Sequence, residues 1–272
     1  MAERRLHNAC NIIDNKLIID YYHYMNGKSA SSAVAAPAAI DIVEAGRNLA
    51  GSVATRLRND IVSGALTPGT KLSIDELRAR YGVSLSPVRE ALSHLTAEGF
   101  VVLEDKKGFR VAPVSRENCL EVAQLQKLLE NQALTAAIAR GDAAWEEEIV
   151  AASHGLSRLE RSEAGRGRRP ARRDGADIDV WEQQHRRFHG ALIAACGMPL
   201  LQSMCASLHD FSARYRRLFL ASHEFDAVVP DEHSAIMQAV LARKTREACR
   251  LMTRHIERTA ENILASLEEQ AR

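Results

Sequence analysis

Apolar positions between residues 50 and 112 change period three times, and each change marks an element. In Ala50–Ser63, Val53, Leu57 and Ile61 recur every fourth residue, which predicts a helix with one buried face. The cluster Gly64–Gly69, with a proline inside it, must break that helix. Ser73 then stands as N-cap of a short helix over Ile74–Tyr81, with Asp75 and Glu76 in the first turn, where the helix dipole favours acids. After Gly82, Ser84 and Ser86 offer cap oxygens and Pro87 fits just inside a helix start. Val88, Ala91, Leu92 and Leu95 follow at i, i+3, i+4 and i+7, and Gly99 is placed to close the helix. Two β-rich runs come next, Phe100–Leu103 and Phe109–Ala112, joined by the charged turn Glu104–Gly108. Helices ending in such a hairpin predict a winged helix-turn-helix, whose last helix fits the major groove of DNA.

Beyond Pro113–Ser115, which reads as a hinge, no strand pattern returns. Ser115 caps a helix over Arg116–Arg140, whose buried side is expected to carry Leu120, Ala123, Leu125, Leu128, Leu129, Ala133 and Ala136. Further helices are predicted over Ala143–Ser162, Ile178–Cys196, Leu200–Ser222, Asp231–Ala242 and Thr245–Glu269. The expected fold is therefore mainly α. A winged helix-turn-helix occupies residues 47–113, and an antiparallel bundle of six to seven helices occupies 116–270. Residues 1–46 lack a period and read as a disordered tail or a mis-assigned start, Met25 being the alternative first residue. Arg161–Arg173 holds six arginines among Gly, Ser and Pro and reads as a disordered insertion between helices.

At 272 residues, 46% hydrophobic and 26% charged, the chain can bury a sizeable core. Its net charge of +1 names no partner. Residues 47–112 hold ten Lys/Arg against seven Asp/Glu, a surplus of +3, so any nucleic-acid contact must rest on one basic face. Five scattered cysteines without a Cys-x-x-Cys pair read as the reduced thiols of a cytoplasmic protein. Nowhere do about eighteen apolar residues run together, so no membrane span is expected. No phosphate-binding loop, dinucleotide fingerprint or Ser-His-Asp order appears, and the residue after His185 is Arg186 where a zinc hydrolase would place a glutamate. An enzyme is not expected.

Arg89 lies one turn into the third helix, where a guanidinium can bridge guanine O6 and N7. Ser84 and Ser86 at the helix start suit phosphates, with Ser73 and Lys71 on the preceding turn and Arg56 and Arg58 as further phosphate contacts. SGALTPGTKLSIDELRARYGVSLSPVREALSHLTAEGFV resembles the N-terminal domain of GntR-type bacterial transcription regulators. The resemblance implies that Lys106, Lys107 and Gly108 at the wing tip touch the minor groove or the backbone. It also exposes a departure: the family carries an arginine where this chain has Leu85, which replaces a guanine contact by one to a thymine methyl.

The histidines form a second constellation. His185 and His189 share a helix face at i, i+4 and can chelate one ion, while His233 and His255 lie on the last two helices. LQKLLENQALTAAIAR, HRRFHGALIAACGMPLL and DEHSAIMQAVLARKTREACRLMTRHI resemble the FadR-type ligand-binding domain called FCD, and WEQQHRRFHGALIAACG resembles its carbon-starvation and glutarate branch. The resemblance implies a divalent metal on His189, His233 and His255, with His185 where the family commonly has aspartate. Four imidazoles favour Zn²⁺ or Ni²⁺ over Mn²⁺. The family's carboxylate-clamping arginine is Gln126 here, which leaves Arg214, Tyr215 and Arg216 as candidates to hold an effector. The expectation is a homodimeric, cytoplasmic repressor of an adjacent catabolic operon. It would bind a palindromic operator and be released by a small carboxylate. The alternatives are a constitutive DNA binder without effector response and, more remotely, a metal-dependent enzyme.

Overall fold

In the computed structural model, which describes residues 38–164, 175–223, 226 and 228–270, the apolar positions gather into two cores. The first is built by α1 (Ala38–Val62), β1 (Lys71–Leu72), α2 (Ile74–Tyr81), α3 (Leu85–Ala97), β2 (Val101–Glu104) and β3 (Gly108–Val111). Val53, Leu57 and Ile61 of α1 meet Leu77, Val88, Leu92 and Leu95 there, with Phe100 and Val111 closing the hairpin side. Each such side chain contributes about 1.5–3 kcal/mol by leaving water. α1 begins at Ala38, twelve residues before the start predicted from its apolar period. Residues 38–46 of the expected tail are helical in α1, and residues 161–164 of the insertion expected over Arg161–Arg173 continue a helix, whereas 1–37 and 165–174 lie outside the described residues.

Local signals act as read. Ser73 Oγ accepts from Glu76 N–H at 3.5 Å, and Gly82 and Gly99 take φ of 68° and 85°, the left-handed region that favours glycine. The hairpin gains a third strand that the sequence did not reveal. The sheet order is β1-β3-β2, antiparallel, with Lys71 opposite Arg110 and Leu72 opposite Phe109. Two residues are too few for a period-2 pattern to be visible.

The second core belongs to six helices and one 3₁₀ turn: α4 (Arg116–Arg140), α5 (Ala143–Ala164), α6 (Gly175–Ile193), the turn Ala194–Cys196, α7 (Pro199–Ser222), α8 (Val229–Leu241) and α9 (Thr245–Gln270). α4 runs through the middle, packed against α6, α7 and α9. Its buried face keeps part of the stripe expected from sequence: Ala123 and Ala133 are buried, and Leu129 and Ala136 pack half-buried against the core. Cys119, Val122, Gln126, Glu130, Ala133, Leu134, Ala137 and Ile138 face inward, whereas Leu120 and Leu125 are exposed and Leu128 is 66% exposed. The polar Gln126 and Glu130 point into the bundle, so counting apolar residues alone misplaces the centre of this buried face by its three outer leucines.

Pro113–Ser115 is braced on both sides and is not a free hinge. Phe211 of α7 stacks on Phe100 at 4.2 Å between ring centroids, and Arg214 donates to the Ala112 carbonyl. The Tyr215 hydroxyl donates to Asn118 Oδ1 at 2.8 Å and accepts from Ser115 N–H at 3.3 Å, while Arg217 donates to the Ser63 carbonyl at 3.4 Å. One helix thus touches the reader through its residues 211–217.

Between α4 and α5, Gly141 lies flat against the buried indole of Trp145, whose Nε1 donates to the Ala191 carbonyl at 2.8 Å. A methyl group at Gly141 would run into that ring. Gly141→Ala is expected to destabilise the protein by about 1–3 kcal/mol, read as a lower urea midpoint at unchanged slope.

Candidate nucleic-acid interface and metal centre

Burial of Val88, Ala91, Leu92 and Leu95 fixes which face of α3 looks outward. Leu85, Ser86 and Arg89 stand exposed on that face with Ser84 at its start, and Ser93, which sequence reading did not mark, continues the row at i+4 from Arg89. Ser84 takes the extended cap conformation but its side chain makes no cap bond, and the Ser86 hydroxyl donates to Glu90 at 3.0 Å. Lys106 and Lys107 are exposed in the β2–β3 turn, which closes through Lys107 N–H to the Glu104 carbonyl at 3.1 Å. Lys106 at φ 61° and Gly108 at φ 85° shape that tip. Lys71 is exposed in β1, and Ser73 is half-buried at its cap.

Arg56 and Arg58 are engaged within the domain. Arg58 forks onto Glu98 at 2.6 and 3.1 Å, and Arg56 lies 4.8 Å over the Tyr81 ring while donating to the Tyr81 carbonyl. Both brace α1 against its neighbours. Burial, together with the hydrogen bond to Asp60 at 2.7 Å, pushes the Tyr81 phenol up.

Inside the bundle, i, i+4 spacing puts His185 and His189 on one face of α6, and α8 and α9 bring His233 and His255 against them. Each is no more than 4% exposed, and the six pairs of ring centroids lie 4.4–6.1 Å apart. One nitrogen from each ring falls within 4.8 Å of the others. Sequence reading missed what stands behind them. Glu160 of α5 accepts from His233 Nδ1 at 3.0 Å, Glu232 accepts from His255 Nδ1 at 2.9 Å, and Glu130 lies 3.6 Å from His189 Nδ1. A carboxylate on Nδ1, as on His233 and His255, keeps the proton there and turns the Nε2 lone pair inward. His185 Nδ1, both ring nitrogens of His189 and His233 Nε2 are buried without a hydrogen-bond partner. Buried orphan nitrogens are costly unless something coordinates them, so these residues fit a divalent ion. Burial, reinforced by the neighbouring imidazoles, holds His185 and His189 well below the ordinary range, and burial also lowers His255 against the pull of Glu232. Neutral imidazole is the form that binds metal.

A chamber of about 20 Å³ adjoins the histidines, lined by Gln126, Glu130, His209, Ser212, Tyr215 and Arg216 at its polar end and by Cys119, Val122 and Ile263 beyond. Of the expected effector contacts, Gln126, Tyr215 and Arg216 line it. Arg214 does not, being turned to the Ala112 carbonyl. Arg216 is held by Glu182 through two contacts of 2.8 and 2.9 Å. Burial pushes the Cys119 thiol up to about 11. Its alkylation at pH 8 is therefore expected to run about a hundredfold slower in folded than in unfolded protein, since only the thiolate reacts. Peptide mass spectrometry after iodoacetamide checks this.

A winged helix-turn-helix joined to a helical bundle with a buried histidine cluster fits a DNA-binding transcription regulator. The profile described as "Bacterial regulatory proteins, gntR family" matches residues 49–111, and that of the FCD domain matches 121–258. The chain belongs to the GntR family. It is 37% identical to the HTH-type transcriptional repressor GlaR of Escherichia coli over 204 residues, 74% of this chain and 89% of that one. It is 37% identical to the uncharacterized HTH-type transcriptional regulator BphR of Paraburkholderia xenovorans over 232 residues, 85% and 90% of the two chains. The fold is that of E. coli McbR/YncC, with a TM-score of 0.67 at 19% identity, covering 82% of this chain and 99% of that one. These relatives are regulators, and this protein is a regulator rather than an enzyme. Among the described residues no helix is long and apolar enough to cross a membrane.

Proposed function

We propose that this protein is a cytoplasmic, homodimeric repressor that leaves a palindromic operator when a small carboxylate binds beside a metal ion in the bundle. The observation that carries this reading is the convergence of His185, His189, His233 and His255, with orphaned nitrogens, beside a chamber walled by the helix that touches the reader. The repressor named among the relatives supports the sign of regulation.

On DNA, α3 lies in the major groove. Arg89 bridges guanine O6 and N7 and Leu85 meets a thymine methyl, while Ser73, Ser84, Ser86 and Lys71 meet phosphates. Lys106, Lys107 and Gly108 follow the neighbouring groove or backbone. A two-fold dimer presents two such readers to two half-sites.

In the bundle, the four histidines would hold Zn²⁺ or Ni²⁺, and the ion supplies Lewis-acid attraction for a carboxylate oxygen. Arg216, its charge balanced by Glu182, offers guanidinium donors at the chamber wall, and Gln126 an amide donor. About 20 Å³ has room for roughly one water, so a carboxylate must widen the chamber, and α7 is one of its walls.

The test is thermal unfolding of zinc-loaded and EDTA-stripped protein with glutarate, 2-hydroxyglutarate and succinate, beside a mobility-shift titration on a duplex selected from a random pool. A dicarboxylate is expected to raise Tm and release DNA only in the loaded form. DNA binding indifferent to every carboxylate would make the protein a constitutive binder instead.

A further inference from the structure

The three carboxylates behind the histidines do not end in the same place. Glu160 also accepts from the Trp181 indole of α6 at 3.2 Å, and Glu232 from Arg258 of α9 at 3.0 Å, so both lead back into the bundle. Glu130 leads elsewhere. It is 1% exposed; one oxygen faces His189 Nδ1 at 3.6 Å, and the other lies 3.3 Å from Nε2 of His209 and accepts from Gln126 at 3.0 Å. His209 belongs to α7, two residues before the Phe211 that stacks on Phe100 and five before the Arg214 that grips Ala112. It is buried, yet neither ring nitrogen makes an aligned hydrogen bond. A histidine kept only for packing would have its donors satisfied. Glu130 therefore stands between two imidazoles, one on the candidate metal centre and one on the helix that holds the reader, with neither contact drawn to full hydrogen-bond geometry.

We propose that His209 is a positioning residue that reports the state of the four-histidine centre to the winged domain through Glu130. The proposal rests on the metal reading above. An ion taken by His189 through Nε2 requires the proton on Nδ1, and Glu130 is the acceptor within reach of that proton. Glu130 drawn onto His189 gives up its hold on His209, and α7 settles anew against Phe100, Ala112 and Ser63. The arrangement makes Glu130 part of the metal's support and His209 part of the coupling, so the two residues are separable by experiment.

The experiment is hydrogen exchange by mass spectrometry on the full chain, with EDTA or with one equivalent of Zn²⁺, alongside Zn²⁺ titration and elemental analysis. In the wild type, Zn²⁺ is expected to change exchange by about threefold or more both in α7 and in the reader segment 99–112. Glu130→Gln is expected to weaken Zn²⁺ binding about 10–100-fold, as loss of a supporting carboxylate does. His209→Gln should still bind one ion with near wild-type affinity but lose the exchange change over 99–112. Phe211→Leu, which leaves the centre alone, should keep the ion and the change in α7 and lose only the change in the reader. A His209→Gln protein that still transmits the full change overturns the proposal. So does a wild type that holds two ions of which His209→Gln removes one, since Glu130, His189 and His209 would then be a second ion site. A wild type that binds no ion overturns the metal reading as well, which distinguishes that failure from a failure of coupling alone.

Discussion

Stripping the ion from the four-histidine centre is expected to lower the unfolding free energy by about 4 kcal/mol when free Zn²⁺ stands a thousandfold above its Kd. For a domain of this size that is a fall in Tm of roughly 8–16 °C. The effect is large because the folded bundle assembles His185, His189, His233 and His255 from three helices, and the unfolded chain does not. His189→Ala removes one leg of the i, i+4 pair and is expected to abolish both the Zn²⁺-dependent part of Tm and any carboxylate shift. It should not abolish DNA binding, because the reader has its own core of Val53, Leu57, Leu92, Leu95 and Phe100. Calorimetry with EDTA and with Zn²⁺ reads the first result. Equal Tm values under the two conditions would refute the metal reading outright.

The second expectation concerns the reader. Arg89→Ala should cost about 1–3 kcal/mol of specific binding and relax the base preference at one position in each half-site. Its guanidinium stands exposed on the outward row of α3, where it supports nothing inside the domain, so the loss is one of recognition and not of stability. Lys107→Ala should instead weaken binding to all sequences alike and reduce the slope of log K against log salt by about 1. Normal selectivity in Arg89→Ala would mean that α3 does not read bases through this residue. The contrast between the two variants matters more than either alone, since a general loss of folding would move both in the same way.

The reader was legible in the sequence almost residue by residue. A stripe of four apolar positions, the Ser73 cap and a closing glycine are local signals that mark α2, α3 and the hairpin. The four histidines were legible too, because i, i+4 spacing and short motifs survive without three-dimensional context. Tertiary structure decided the rest. It turned Leu120, Leu125 and Leu128 outward and Gln126 and Glu130 inward, against the apolar count, because a bundle that surrounds a polar chamber needs polar side chains on its inner face. It spent Arg56 and Arg58 on Tyr81 and Glu98 and turned Arg214 to Ala112, since an arginine's partner is whatever the fold brings within reach. It also placed Glu130, Glu160 and Glu232 behind the histidines across separations of 23 to 73 residues, in the pairs with His255 and His233 that the hydrogen bonds record. A lone glutamate on a helix carries no mark of the imidazole it will meet. Periodicity is a property of one element and is written in the chain, whereas the pairing of charges is a property of the packed whole and exists only once the helices have met.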